Sequence, residues 1–387
     1  MISHPTAPPT WVDTPLRLRQ MVADISGYAH VAVDTESNSL YAYQEQVCLI
    51  QFSTGDRDYL VDPLSLPNLS SLQPFFESTQ IEKIFHAAEY DLICLRRDFG
   101  FQVNHLFDTM QAARILGKKA FGLGSILSSE LQVEIDKRYQ RANWGLRPLP
   151  PAMLDYARLD TYYLIPLRAC LFQQLEQENL TGLALEDFQR FRLVEIPESK
   201  EMHNSGIWRM VGNRDFSPQQ AAVLNQLWLY REQRAQQADL PRFKILSDSS
   251  LLDIASTCPQ TLIELTDAKI LSASLLQRHG AQILQAVQRG LNSPPIYRSN
   301  SHRPDDAYLD RLDLLRRWRK TAGESMGVES DVILPRETMD TIAQENPQSL
   351  LALGRIMEHL PWRFQRYGSQ ILAIIHHQEP DHYENHI

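Results

Sequence analysis

Four cysteines in 387 residues are few, and Cys48, Cys94, Cys170 and Cys258 stand apart with no C-x-x-C spacing. This excludes a disulfide framework and a thiolate zinc site, and it leads us to expect a reducing, cytoplasmic setting. Long apolar runs are also missing. The longest aliphatic stretch covers residues 371–375, against about 20 residues for a membrane-spanning helix. Residues 1–10 have neither the basic start nor the apolar stretch of a signal peptide. No G-x-x-x-x-G-K-[ST] segment occurs, which removes the phosphate loop that ATP chemistry would use. Positive charge is outweighed, with 38 Lys+Arg against 47 Asp+Glu and a net charge of −9. Such a balance disfavours non-specific coating of nucleic acid and leaves a local basic channel open.

What remains is an ordinary globular composition, 43% apolar and 22% charged. The length predicts two or three domains. Charge is unevenly spread: residues 1–195 carry −7, residues 196–305 carry +2 and residues 306–387 carry −4. After a Pro-rich tail over 1–11, residues 16–26 have helical spacing of apolar side chains. Residues 30–34, 47–52, 58–61 and 81–86 read as strands. From Glu89 to about Phe191 the pattern is helical, so residues 12–195 are expected to form one α/β domain. Polar stretches over 196–209 and 292–305 read as linkers.

The regions flanking the second linker repeat each other. A shift of 88 residues superposes Leu224 on Leu312, Leu227 on Leu315, Arg231 on Arg319, Leu246 on Leu334 and Gly280 on Gly368 without a gap. Units of this length are too long for a solenoid repeat, so two copies of one small all-α domain are expected, over 210–291 and 306–378, before a tail over 379–387.

Three short segments carry chemistry. In Asp34-Thr35-Glu36 the two acids are two apart on a strand and project from one face. Like charges so placed repel unless a cation or proton separates them; a strand end entering a solvated turn is the plainer reading. In His86-Ala87-Ala88-Glu89-Tyr90-Asp91, Asp91 falls near a helix N-terminus, also a common capping position. In Tyr156-Ala157-Arg158-Leu159-Asp160, positions i and i+4 share a helix face, and Asp155 points away.

Taken together, D-T-E, H-A-x-x-x-D and Y-x-x-x-D resemble the DEDDy exonucleases of the ribonuclease D family. Phe107-Asp108-Thr109 and the segment from Asn143 to Leu149 are similar to family stretches, and the repeated unit resembles the HRDC domain. The resemblance implies a ribonuclease H-like α/β fold, a mixed sheet with flanking helices, followed by two helical bundles. It implies two divalent cations, Mg²⁺ or Mn²⁺, since hard cations take carboxylate oxygens. Asp34 would bridge both, Glu36 and Asp160 would complete one site, and Asp91 would hold the other. Tyr156 would orient the attacking water, because a phenol of pKa about 10 is a poor base at neutral pH. The implied reaction releases nucleoside 5′-monophosphates from RNA 3′ ends, with tRNA precursors as substrates and no ATP.

The segment Lys137, Arg138, Gln140, Arg141, Trp144 and Arg147 mixes cations with aromatics, which suits single-stranded RNA; His86 is a further candidate contact. Asp108 is expected to cap a helix. Arg316, Arg317, Arg319 and Lys320 read as a solvated face, and Trp228 and Trp318 as core. Chemistry is expected to reside in residues 1–195, with the +2 first repeat as the RNA-gripping element. A DNA exonuclease of the same superfamily and a catalytically silent RNA-binding scaffold are the alternative readings.

Overall fold

A computed structural model describes residues 5, 7–192, 204–298 and 305–377. The chain divides into two compact units. One comprises Met1–Glu36, Val47–Ile196 and Arg303–Ile387; the other comprises Ser37–Gln46 and Pro197–His302.

The first unit is built on six strands, β1 (Thr10–Val12), β2 (His30–Ser37), β3 (Val47–Ser53), β4 (Asp58–Val61), β5 (Glu82–Phe85) and β6 (Leu106–Asp108). Their order in the sheet is β1-β4-β3-β2-β5-β6. Strands β1 and β4, β2 and β5, and β5 and β6 pair parallel, whereas β3 and β4 pair antiparallel. The sheet is thus mixed, as expected. All seven residues of β3 are buried, Gln51 and Ser53 included. The helices of this part are α1 (Pro15–Ile25), α2 (Gln73–Glu77), α3 (Glu89–Phe99), α4 (Thr109–Ile115), α5 (Leu123–Leu131), α6 (Pro151–Tyr162), α7 (Leu164–Gln177) and α8 (Thr181–Phe191). Helix α1 starts where Thr14 caps the Arg17 amide and Pro15 supplies a preset φ.

Two strands escape the sequence pattern. β1 lies at the end of the stretch read as a tail, and β6 interrupts the region read as helical; at three residues each they are too short to show a period. Strand β2 also runs further than 34, so Asp34 and Glu36 both lie within it.

The helical repeats are α10 (Pro218–Ala238) to α14 (Ala273–Leu291), with α11 (Arg242–Ile245), α12 (Asp248–Thr257) and α13 (Leu262–Asp267), and α15 (Asp306–Met326) to α19 (Pro361–Ile375), with α16 (Ser330–Ile333), α17 (Arg336–Glu345) and α18 (Leu350–Ile356). Every helix of the second set starts 88 positions after its counterpart. One bond recurs in both: Arg231 Nη1 donates to the Leu246 carbonyl at 3.2 Å, and Arg319 Nη1 to the Leu334 carbonyl at 2.9 Å. Trp228 and Trp318 pack against their respective cores. A further helix, α9 (Asn204–Val211), occupies the end of the 196–209 stretch read as a linker. The rest of that linker up to residue 203, residues 299–304 of the second linker, and the tail from 378 lie outside the described residues.

The second repeat is built into the first unit. Val332 of α16 is 1% exposed within the cluster that holds Phe107, Leu167 and Phe188. Helix α8 reaches Trp362 at Gly182, where a Cβ would sit 2.6 Å from the indole ring. A Cβ on Gly117 (φ +67°) would meet the Gly327 carbonyl at 2.6 Å. The expectation that both repeats hang from linkers therefore fails for the second one.

Candidate active site

Alternation along β2 puts Asp34 and Glu36 on one face, and α6 brings Asp160 to them. One carboxylate oxygen from each of the three lies within 4.8 Å of the others. Burial drives their carboxyls up first. The charge of Asp160 raises Asp34 further, and those of Asp34, Asp160 and Asp91 raise Glu36. Asp160 is pushed up to about 7 by burial. Three half-buried acids that favour their protonated forms are matched to a divalent cation, which would replace those protons.

Asp91 lies outside that trio, in the first turn of α3, 6% exposed. Its Oδ1 accepts from the Thr35 hydroxyl between Asp34 and Glu36, and burial followed by the Asp34 charge raises its carboxyl. The turn before it is unusual. Ala87 has φ +63°, a left-handed conformation that an L side chain adopts at a cost. The Asp108 carboxylate holds this turn, accepting from the Ala88 amide at 2.6 Å and the Ala87 amide at 3.3 Å. The same carboxylate caps α4 through the Gln111 amide at 2.9 Å. The expected cap is present, and the second role of Asp108 was not visible in the sequence.

Helix α6 begins at Pro151 after Pro150 and presents Tyr156 one turn before Asp160. The Tyr156 ring is 8% exposed, with the Tyr139 ring edge-on at 5.7 Å and the Trp144 ring tilted at 6.2 Å. Burial raises its hydroxyl pKa, as do the charges of Asp160, Glu36 and Asp34. The phenol stays protonated and can donate.

Two expected RNA contacts are corrected. Trp144 is 1% exposed in a cluster with Leu49, Met153 and Tyr156, so its ring cannot stack on a base. Arg147 is engaged internally: Nη2 lies 2.5 Å from Asp62 Oδ1, and the guanidinium donates to the Trp144 and Cys48 carbonyls. A segment of alternating cations and aromatics here holds Tyr156 in place. Lys137, Arg138, Gln140 and Arg141 are exposed, with Arg138 paired to Asp136. His86 is half-buried, its Nδ1 2.9 Å from Thr109 Oγ1, and burial lowers its pKa to about 4, leaving it neutral. In the second repeat, Arg317 pairs with Asp313 at 2.6 Å and Lys320 lies 3.9 Å from Glu324, the i,i+4 partners of a solvated face. Thr35 was missed by sequence reading; its position between two acids was the available clue.

The sequence matches the 3′-5′ exonuclease family over residues 9–176 and the HRDC domain family over 220–287 and 309–375. It is 32% identical over 270 residues to the exosome complex exonuclease RRP6 of Saccharomyces cerevisiae, covering 66% of this chain and 37% of the yeast protein. It is 27% identical over 379 residues to the Ribonuclease D of Nitrobacter hamburgensis, covering 95% of each. The crystal structure of the catalytic core of RRP6 from Trypanosoma brucei superposes with a TM-score of 0.61 at 30% identity, over 75% of this chain and 82% of that one. With an exonuclease domain and two HRDC domains in this order, and likeness to these relatives in both sequence and fold, the chain belongs to the ribonuclease D family of 3′-5′ exonucleases.

Proposed function

We propose that this chain is a divalent-metal-dependent 3′-5′ exoribonuclease that releases nucleoside 5′-monophosphates from single-stranded 3′ ends of stable-RNA precursors, tRNA trailers among them. The observation that carries this reading is the convergence of Asp34, Glu36 and Asp160 within 4.8 Å beside Asp91, with mutual repulsion in place of a cationic partner. The relatives named Ribonuclease D support RNA as the substrate.

Asp34, Glu36 and Asp160 would hold one Mg²⁺ or Mn²⁺, and Asp34 with Asp91 a second. Such ions supply the charge that stabilises the attacking and leaving oxygens of an in-line displacement. The protein's own groups do the rest. Tyr156, kept protonated beside three acids, hydrogen-bonds and orients the attacking water. Its protonated state removes it from the role of base. Thr35 fixes Asp91 against β2, and the Asp108-held turn fixes the start of α3. Lys137, Arg138, Gln140 and Arg141 are exposed and would meet RNA phosphates. The four cysteines are free, in keeping with a cytoplasmic protein. Among the described residues no helix is long and apolar enough to cross a membrane.

The test is incubation of a 3′-extended tRNA, and of matched RNA and DNA oligonucleotides, with Mg²⁺, Mn²⁺ or a chelator. Stepwise shortening of RNA from the 3′ end with release of nucleoside 5′-monophosphates, abolished by the chelator, is expected. Equal or faster degradation of the DNA would overturn the RNA assignment. Undiminished cleavage in chelator would overturn the metal assignment.

A further inference from the structure

We propose that the second helical repeat is a fixed part of the catalytic body, and that Arg363 is a positioning residue for the turn that presents Asp91. The proposal rests on the exonuclease reading above and goes beyond it by giving this repeat a role in the geometry of the metal centre.

Arg363 lies near the start of α19 and is 0% exposed. A guanidinium that cannot be neutralised is not buried without partners, and the partners of Arg363 come from α8 and α16. Nη1 donates to Glu186 at 2.9 Å, Nη2 lies 2.8 Å from Asp187, and both Nε and Nη2 donate to the Val332 carbonyl at 3.1 and 2.8 Å. Glu186 also accepts from the backbone amides of Trp362 and Arg363. The pair of acids and the guanidinium thus join two regions that are far apart in sequence.

The network continues inward. Asp187 Oδ2 accepts from Gln111 Nε2 at 2.6 Å. The Gln111 amide donates to Asp108 at 2.9 Å, and Asp108 accepts from the Ala88 amide at 2.6 Å. Ala88 is the N-cap of α3, with no side-chain cap of its own, and Asp91 follows three residues on. The left-handed Ala87 beside it, φ +63°, is a conformation that persists where surrounding structure over-determines it. Asp108 is one clamp on that turn. Gln111 holds Asp108 by its amide and is itself held through its side chain by the ion-pair cluster. Arg363 meets Asp187 by an ion pair, the Gln111 side chain and backbone amide carry the path on by hydrogen bonds to Asp187 and Asp108, and the last bond, at Ala88, lies three residues from Asp91; all these groups are buried.

An RNA-holding arm and a brace differ in what their loss does. Loss of an arm weakens only substrates long enough to reach it. Loss of a brace alters the metal centre for every substrate. The experiment compares the full-length chain with its Arg363→Met, Arg363→Lys and Gln111→Leu variants. Hydrolysis of an RNA dinucleotide and of a 3′-extended tRNA is measured, and Mn²⁺ affinity is read by electron paramagnetic resonance. Arg363→Met should lower kcat on both substrates by the same factor and weaken Mn²⁺ binding, by about 10–100-fold as for other residues that orient metal ligands. Arg363→Lys should recover part of that loss. Gln111→Leu leaves the Arg363 ion pairs intact, so it tests the relay even where Arg363→Met fails to fold; it should weaken Mn²⁺ binding in the same direction, and the double variant should fall short of the summed effects. A loss confined to the tRNA substrate, or wild-type Mn²⁺ affinity in Gln111→Leu, would overturn the proposal. An inactive wild-type chain would instead count against the exonuclease reading itself.

Discussion

Asp34 and Asp160 repel each other in the absence of a cation, so their charges oppose the fold that function requires. Asp34→Asn or Asp160→Asn should reduce hydrolysis by at least about 10³-fold, in line with losing a group that acts as one unit with its neighbours. Each should also raise the melting temperature of the metal-free protein at neutral pH, since it removes a like charge. Turnover and calorimetry in chelator check both halves, and wild-type turnover in either variant would disprove the ligand assignment. Tyr156→Phe separates the hydroxyl from the ring. The ring packs between Tyr139 and Trp144 and stays, while the hydroxyl that orients water is lost. A fall in kcat of about 10²–10³-fold, as for the loss of one preorganised hydrogen-bonding group, with unchanged RNA affinity is expected from single-turnover kinetics and filter binding. Weaker binding with intact kcat would make Tyr156 a substrate-stacking residue.

At the level of elements, the sequence showed where the acids stand and hid what holds them. The period of two in β2 and the i,i+4 spacing in α6 are local facts, so Asp34, Glu36, Tyr156 and Asp160 could be grouped by face from the sequence. The segment from Lys137 to Arg147 reads in the sequence as a basic, aromatic loop suited to RNA. In the structure its Trp144 is buried against Tyr156 and its Arg147 is bound to Asp62. No period marks a loop that packs inward, and a side chain's burial depends on what the rest of the chain lays over it. Trp144→Ala should therefore destabilise the protein by about 3–5 kcal/mol and lower kcat through a loosened Tyr156, with RNA affinity unchanged. Chemical denaturation and binding titrations decide this; a loss of RNA affinity at full stability would restore the stacking role.

For the whole molecule, the metal centre sets a pH dependence. The folded-state pKa values of Asp34, Glu36, Asp91 and Asp160 lie above their reference values of 3.8 and 4.5, with Asp160 at about 7 and Glu36 at about 10. The native state then binds more protons than the unfolded chain, so stability falls as pH rises between these limits. The metal-free protein should melt at progressively lower temperature from pH 5 to pH 9. Saturating Mg²⁺ or Mn²⁺ should flatten or reverse that slope, because the cation binds the deprotonated native site. Melting curves across this range, with and without metal, are the check, and a rising melting temperature in chelator would contradict it. Truncation is a second global test. Chemistry confined to residues 1–195 predicts that a chain ending near residue 201 keeps short-oligonucleotide cleavage. Such a chain would lack Arg363, leaving Glu186 without its guanidinium and Asp187 with Arg190 alone, a loss of about 3–5 kcal/mol for a broken buried pair, and it would uncover the core that Val332 completes. Dinucleotide cleavage by that fragment should fall together with its stability.

Much was therefore fixed within short stretches of chain. Residue spacing along single strands and helices, and the 88-residue register of the repeats, are properties of neighbours in sequence. They specified the α/β domain, the duplicated bundles and the pairs Asp34–Glu36 and Tyr156–Asp160, while the joining of these with Asp91 into one acid set came from the resemblance to the ribonuclease D family. Tertiary structure alone decided that Thr35 meets Asp91, that Asp108 clamps the Ala87 turn, that Trp144 is core, and that the second repeat joins the catalytic unit while the segment Ser37–Gln46 belongs with the first repeat. These pairings span dozens to hundreds of residues. A buried carboxylate or guanidinium carries no mark in sequence of which distant partner will satisfy it, because desolvation selects that partner only once the chain has closed around both.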